Sequence, residues 1–333
     1  MTHMKTTVVG SYPIPEWFKT NPSEEALLDA LATVLRAQED AGIDVISDGE
    51  LSRWDAQRQA QVGMVERFVR EMAGVQAEAT CSQREAFRAL PGNAYRPSPA
   101  GVITGPVDEG VLDLKRDWQM AQRQTHAPLK FTVTSPYMMA KLVRDQHYAD
   151  LETLAMAFAD VLARQLVGID AAVVQVDEPN LPGSPDDSDI AARAINTVLQ
   201  GVSGQKAVHV CFGNFGGQRI QTGSYERLIR FMNTLECHHL VLETTRRPAE
   251  ELEMLAEVKP DMQFGMGVID VKDLQAESAE QVAQRIETLA EQVGAERIAY
   301  VNPDCGLRML PRPVADAKLR ALVAGRNLFV GNK

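Results

Sequence analysis

The sequence predicts an α/β fold, specifically a (β/α)8 TIM barrel with a long insertion after the second strand. Eight short apolar runs recur along the chain, amphipathic segments separate them, and polar residues follow nearly every run. The predicted strands span 6–10, 43–47, 131–134, 170–176, 206–213, 239–245, 264–270 and 297–303. A doubly wound open sheet is the alternative that the same alternation allows.

Helices are predicted wherever apolar residues recur with helical spacing and a stop signal follows. The segment 22–42 carries a leucine-rich face and ends at Gly42, and the segment 151–168 repeats this pattern. Ser278 and Gln281 have the spacing of a capping box, which predicts a helix start between the last two strands.

Residues 51–125 interrupt the strand and helix alternation. This stretch is rich in proline, with a helical pattern at 64–72 and a hairpin expected near 102–107. Because loops of this length are usually functional, we expect an insertion that acts as a lid within a single catalytic domain, 1–333.

Composition excludes several classes of function. The 45 acidic and 34 basic residues give a net charge of −11, which argues against nucleic-acid binding. The four cysteines are too scattered for a disulfide framework, and no run approaches the roughly 20 apolar residues of a membrane helix. The first residues lack the apolar core of a secretion signal. We therefore expect a cytoplasmic protein with no membrane partner, for which a homo-oligomer is possible.

Polar side chains collect where the predicted strands end, which is where a barrel places its chemistry. The residues at these ends are Gly10, Ser11, Asp48, Glu50, Ser135, Asp177, Glu178, His209, Cys211, Glu243, Asp270, Asn302, Asp304 and Cys305. Random surface loops would rarely supply so many metal-competent and charged groups at matched positions. This pattern predicts an active site at one end of the barrel.

A zinc site is predicted among these residues. His209 and Cys211 lie two apart on one strand, so their side chains face the same way. Glu243 and Cys305 follow later strands, and the four together form a plausible tetrahedral Zn²⁺ shell. A buried cysteine alone is more often an apolar filler, so the prediction rests on the combination. A thiolate-rich zinc would hold an incoming thiol as a thiolate, which indicates S-alkylation rather than hydrolysis.

Six motifs in order resemble those of a known family: TVVGSYP, DGELSR, QVDEPNLPG, HVCFGN, LETTRR and NPDCGL. Across about residues 5–310 the chain resembles the C-terminal catalytic barrel of cobalamin-independent methionine synthase. The resemblance implies a (β/α)8 barrel, a transferase of methionine biosynthesis, and zinc on His209, Cys211, Glu243 and Cys305.

The resemblance also implies a homocysteine site. Its residues fall on Ser11, Glu50 and Asp177, where the two carboxylates would pair with the substrate ammonium. Ser11 and the Gly10 amide would bind the substrate carboxylate. We expect catalytic roles for Asp177 and for Asp270, which could relay a proton or orient a ligand.

Two departures from the family bear on the methyl donor. The catalytic histidine of the family aligns with Lys272, and the segment after strand three, TSPYMMAKL, lacks the tryptophan expected near a folate. A donor other than folate is therefore expected, such as a corrinoid or other methyl-donor protein. The alternatives are a zinc alkyltransferase for another thiol, similar to epoxyalkane:coenzyme M transferase, and a non-enzymatic amino-acid binder.

Overall fold

The computed structural model describes residues 4–55, 60–61, 63–214 and 220–331. Its strands are β1 Lys5–Thr6, β2 Ile46–Ser47, β3 Trp54–Asp55, β4 Ala60–Gln61, β5 Ala73–Gln76, β6 Val102–Asp108, β7 Leu129–Thr134, β8 Arg144–Asp145, β9 Val173–Glu178, β10 Gln205–Val210, β11 His239–Leu242, β12 Gln263–Ile269 and β13 Ile298–Pro303. Its helices are α1 Glu16–Thr20, α2 Glu24–Ala41, α3 Glu66–Val69, α4 Cys81–Arg88, α5 Leu114–Gln122, α6 Pro136–Leu142, α7 Leu151–Leu166, α8 Ser188–Gln200, α9 Ile229–Thr234, α10 Ala249–Glu253, α11 Ala279–Val293 and α12 Arg312–Val330.

Eight parallel strands form a ring at the centre of the molecule. Around the ring the order is β1, β13, β12, β11, β10, β9, β7 and β2, which follows the chain without a reversal. A parallel bridge between Thr7 and Val45 brings β1 beside β2 and completes the ring. The predicted barrel is thereby confirmed. The doubly wound alternative is wrong, because such a sheet would reverse its strand order and stay open.

The strands in the middle of the sheet are buried on both faces. Every residue of β7 and of β9 is buried, as the continuous apolar run at 170–176 predicts. Apolar side chains on the outer face pack against the helices, whereas the inner face carries polar residues such as Lys130 and Gln175. The barrel interior is therefore the part of the core that needs hydrogen-bond partners.

The predicted helix boundaries follow from capping. Helix α2 begins after Ser23, whose side chain accepts a hydrogen bond from the Ala26 amide, and ends at Gly42 with φ of 83°. Helix α11 begins with the capping box that Ser278 and Gln281 predict. In the described part of the chain, no helix is both long and apolar enough to cross a membrane.

The segment after β2 builds a small sheet of its own. Strand β6 runs without a turn, pairing antiparallel with β5 and parallel with β8, so the hairpin expected near 102–107 is wrong. Pro106 lies in β6 at a register shift between the Ala73–Asp108 and Val75–Ile103 pairs, where the ladder tolerates a proline. Helix α5 packs against the barrel helices α2 and α7. The insertion predicted at 51–125 had included this helix.

Glycines on β12 make room for the side chains of its neighbour β13. A Cβ at Gly267 would lie 2.2 Å from Asp304 Oδ1 and 2.8 Å from the Leu242 carbonyl oxygen. A Cβ at Gly265 would lie 2.8 Å from Asn302 Oδ1. The absence of side chains at these positions lets Asn302 and Asp304 occupy the barrel interior.

We expect Gly267→Ala to lower the free energy of unfolding by about 1–3 kcal/mol, because neither Asp304 nor the backbone can move aside. Urea unfolding followed by circular dichroism would measure the change. Gly105→Ala is the control, since its Cβ would meet only Gly74 Cα at 3.8 Å. Equal stability of the two variants would contradict this account of the packing.

Candidate metal and substrate site

Three metal-competent side chains meet at the carboxyl end of the barrel. His209 lies in β10, Cys211 directly follows this strand, and Cys305 follows β13. The nitrogen and the two sulfur atoms that they offer all lie within 4.8 Å of one another. The i, i+2 spacing of His209 and Cys211 aims both side chains inward, as the sequence predicts.

The imidazole of His209 is oriented for ligation. Its Nδ1 lies 2.9 Å from the Val241 carbonyl oxygen, to which the Nδ1–H donates, so that Nε2 keeps its lone pair. His209 is 2% exposed, and Nε2 has no hydrogen-bond partner among the described residues. A buried imidazole held through one nitrogen, with the other free beside two sulfurs, fits a transition-metal ligand.

The sulfurs of the two cysteines are in contact. The thiol of Cys211 donates to the sulfur of Cys305, and this contact, aided by His209, holds the pKa of Cys305 well below its usual range. The same contact and burial hold the pKa of Cys211 well above its usual range. Two sulfurs are thus held side by side, and both would be thiolates as metal ligands.

Glu243 lies beside this group but is engaged in an ion pair. Its Oε1 accepts a hydrogen bond from Lys272 Nζ at 2.8 Å, and the two side chains are 3% and 6% exposed. Burial lowers the pKa of Lys272, but the charge and hydrogen bond of Glu243, together with the charges of Asp304 and Cys305, outweigh burial and the net shift is upward. Within the described ranges, the converging group therefore comprises His209, Cys211 and Cys305, with Glu243 held at its edge by Lys272.

A cavity of about 1090 Å³, measured to its open mouth, is lined by His209, Cys211 and Cys305. Ser11, Glu50 and Asp177 line the same cavity, so the predicted substrate residues and the predicted metal ligands meet there. Gly10 is not in the lining but supports it, since a Cβ at this position would lie 2.5 Å from Glu50 Oε1. The segment after β2 contributes further wall residues, namely Gly63, Met64, Tyr95 and Arg96.

Glu50 is held in a restricted conformation. Its φ of 59° is the one left-handed value at a non-glycine residue in the described part of the chain. Such a conformation costs on the order of 1–3 kcal/mol and persists only when its surroundings enforce it. Here Arg53 Nη1 binds Glu50 Oε2 at 2.9 Å, Thr132 Oγ1 donates to Oε1 at 3.1 Å, and the Glu50 amide donates to Asp48.

Asp177 is buried beside the metal ligands, 5% exposed. Burial and the charge of Glu50 raise its pKa to about 7, although His209, Arg53 and Gln175 oppose the rise. Gln175 Nε2 donates to Asp177 Oδ1 at 2.7 Å. A cationic group in the cavity would therefore find two neighbouring carboxylates, on Glu50 and Asp177.

Asp270 lies outside the cavity lining. Its Oδ2 accepts a hydrogen bond from Arg246 Nε at 2.7 Å, and its Oδ1 accepts one from the Lys272 amide at 2.8 Å. The structure thus connects Asp270 to the site through the backbone of Lys272, while its catalytic role stays a prediction.

Several supporting residues were not singled out from the sequence. Thr132 donates to Glu50, while Lys130 and Gln175 lie behind Asp177. The sequence did carry a signal for these residues, namely lysine and glutamine within otherwise apolar strands. A buried strand carries polar side chains only where they have hydrogen-bond partners.

Comparison with known proteins gives the family. The sequence model described as cobalamin-independent synthase, catalytic domain, matches residues 4–326. A methionine synthase of Thermococcus kodakarensis is 31% identical over 337 residues, covering 97% of this chain and 92% of that protein. A methionine synthase of Sulfolobus acidocaldarius is 31% identical over 341 residues, covering 98% and 92%.

A solved structure agrees with the sequence relatives. The B12-independent methionine synthase from Shewanella sp. W3-18-1, in complex with selenomethionine, is 26% identical with a TM-score of 0.82, covering 98% of both chains. The chain belongs to the cobalamin-independent methionine synthase family, which confirms the resemblance and identifies it as a methyltransferase. The non-enzymatic alternative is thereby not supported.

Asp48, which anchors the Glu50 amide, yields a prediction about pH. Burial raises its pKa from 3.8 to about 6, so the folded protein binds an extra proton between these values and loses stability as the pH rises through them. Asp48→Asn removes this loss of stability with rising pH, and the side-chain oxygen of the asparagine can still accept the hydrogen bond of the Glu50 amide. The stability of the variant relative to wild type should rise from pH 4 to 6, by up to about 3 kcal/mol, and then level off.

Chemical denaturation at a series of pH values would measure this difference. Asp160→Asn, at an exposed position of α7, is the control and should show no such rise. A flat difference between Asp48→Asn and wild type would contradict the burial argument.

Proposed function

We propose that this member of the methionine synthase family is a zinc enzyme that transfers a methyl group to the thiolate of L-homocysteine, giving methionine. The observation that carries the proposal is the convergence of His209, Cys211 and Cys305 in one cavity with Glu50 and Asp177. A thiol ligand site and a binding site for an amino acid's ammonium group are thus adjacent.

The donor set fits zinc. One imidazole and two cysteine sulfurs are the ligands that structural and catalytic zinc sites commonly use, and Nε2 of His209, which has no hydrogen-bond partner among the described residues, is available to a cation. We assign Glu243 as the fourth ligand, since it is buried directly after the next strand. When bound, zinc would lower the pKa of a substrate thiol enough to keep it as a thiolate at neutral pH.

The protein's own residues would orient the amino acid. Glu50 and Asp177 would accept hydrogen bonds from its ammonium group, and Ser11 Oγ and the Gly10 amide would donate to its carboxylate. An ammonium beside Asp177 favours the ionised form of a carboxyl whose pKa burial has raised. Asp270, which accepts the Lys272 amide, would keep Lys272 directed at Glu243.

The transfer itself forms a sulfur–carbon bond and breaks the bond between the methyl group and its donor, whose electron pair stays with the donor. The cavity lies at the upper end of the size range for ligand sites, so a thiol and the methyl-bearing part of a donor fit together. Met64, Met138, Ile220 and Met309 give part of the wall an apolar character.

We infer that the methyl donor is not a folate. No tryptophan stands among the described residues that line the cavity, and Met138 lies there instead, in the segment after β7. A corrinoid or other methyl-donor protein is the proposed source. The Shewanella relative was solved with selenomethionine, which supports a methionine-like ligand for this chain.

A second candidate is alkyl transfer to a different thiol. The observation that favours it is the buried ion pair of Lys272 with Glu243, at the position where the family's catalytic histidine aligns. A panel of thiols differing in their polar ends, tested for binding to the zinc-loaded protein, separates the two candidates.

Zinc binding gives a direct test of the ligand assignment. We expect Cys211→Ala and Cys305→Ala to lose most of their zinc and all detectable L-homocysteine binding, because each removes a thiolate ligand. Metal analysis and isothermal titration would measure both, with about one proton released on binding to the wild type. Cys237→Ala, at a partly buried cysteine outside the site, is the control. Full zinc content in Cys211→Ala would contradict the assignment.

Glu50→Gln tests whether the protein recognises the ammonium group of the substrate thiol. We expect at least about tenfold weaker binding of L-homocysteine, since a hydrogen bond to a charged group is lost. Binding of 4-mercaptobutyrate, which lacks the ammonium group, should change little. The two ligands are titrated into the same zinc-loaded protein. Equal weakening for both ligands would show that Glu50 does not recognise the ammonium.

A further inference from the structure

A fully buried lysine lies in the barrel interior, behind the substrate site. Lys130 on β7 is 1% exposed, and its Nζ donates to the Val8 carbonyl oxygen at 2.7 Å and to Gln175 Oε1 at 2.8 Å. Among the described residues, no carboxylate forms an ion pair with it. A buried ammonium without a counter-ion is destabilising, so its retention calls for a specific role.

The contact with Lys130 determines how the amide of Gln175 is oriented. Because Oε1 accepts from an ammonium, which can only donate, the amide nitrogen must face the other way. There Nε2 donates to the Val9 carbonyl oxygen at 2.8 Å and to Asp177 Oδ1 at 2.7 Å. Gln175 is 0% exposed, so no bulk water can replace either contact.

A rotated amide would oppose Asp177. If Gln175 turned by 180°, its oxygen would face the carboxylate oxygen of Asp177 and the two acceptors would repel. Its nitrogen would then face the ammonium of Lys130, donor against donor. Lys130 therefore acts with the Val9 carbonyl against the orientation that would push Asp177 out of place.

We propose that Lys130 is a positioning residue for substrate recognition: through the amide of Gln175 it holds the Asp177 carboxylate where the substrate ammonium binds. Lys130 does not line the cavity, so it acts without touching the substrate. The proposal rests on the proposed function, in which Asp177 binds the amino group of the thiol.

The electrostatics agree with this connection. Burial lowers the pKa of Lys130 to about 7, and the charge of Asp177 opposes the shift. The carboxylate of Asp177 thus favours the ammonium form of Lys130 on the other side of Gln175.

Lys318 offers a matched control. It is also fully buried, and its Nζ donates to the Gln275 carbonyl oxygen at 2.7 Å and to Glu277 Oε2 at 2.9 Å. None of these groups lines the cavity. Lys318→Met also removes a buried ammonium away from the cavity lining; unlike Lys130, this lysine is paired with a carboxylate, Glu277, which keeps its ion pair with Arg285 in the variant.

The test is titration of the zinc-loaded full-length protein with L-homocysteine, after metal analysis has shown equal zinc content. We expect Lys130→Met and Gln175→Met each to weaken binding by about tenfold or more. The double variant should bind no more weakly than the weaker single variant, since both remove one connection. Lys318→Met should bind as the wild type does.

Each outcome decides between explanations. Wild-type affinity in Lys130→Met, or losses that add in the double variant, would overturn the positioning role while the proposed function stands. Weakened binding in Lys318→Met as well would show a general effect of losing a buried lysine and would equally overturn it. If Lys130→Met does not fold, Gln175→Met tests the same connection with the lysine intact. Absence of binding by the wild type would overturn the proposed function, and the positioning role with it.

Discussion

The need to give every buried polar group a partner governs the interior of this barrel. Inward-facing lysine, glutamine and aspartate side chains are stabilised there by hydrogen-bond donors and acceptors from neighbouring strands, whereas Nε2 of His209 keeps its lone pair for the predicted metal. Lys130, Gln175 and Asp177 form one series of hydrogen-bonded side chains, and Arg53, Thr132 and Glu50 form another. Both series end at the cavity. The same hydrogen bonds therefore satisfy the buried polar groups and fix the carboxylates that face the cavity.

The barrel could be predicted because its signals are local. Apolar runs, capping residues such as Ser278 and the i, i+2 spacing of His209 and Cys211 are visible in short stretches of sequence. The partners of the site residues could not be predicted in this way, because they come from distant strands. Thr132 and Glu50 are 82 positions apart, and Lys272 and Glu243 are 29 apart. The hairpin predicted at 102–107 was wrong for a related reason. Strand β6 accommodates Pro106 because of a register shift against another strand, which the local sequence does not reveal.

Backbone features complement these pairings at the cavity. Glu50 adopts a left-handed conformation, and Gly10 leaves the space that its carboxylate fills. A side chain at Gly10 would displace Glu50, whose ion pair with Arg53 would then break. The glycine in the motif TVVGSYP and the arginine in DGELSR are therefore parts of one arrangement, although about forty residues of sequence lie between them.

The contact between the two cysteine sulfurs has a consequence for the protein without a metal. The sulfur of Cys305, whose pKa is lowered, has the thiol of Cys211 directly beside it. A thiolate is the form that peroxide attacks, and a neighbouring thiol resolves the resulting sulfenic acid into a disulfide. In the proposed zinc enzyme, loss of the metal under peroxide would therefore lead to a Cys211–Cys305 disulfide, which a reductant rather than added zinc alone would reverse. A bound cation would act as a protecting group for the sulfurs as well as a ligand for the substrate.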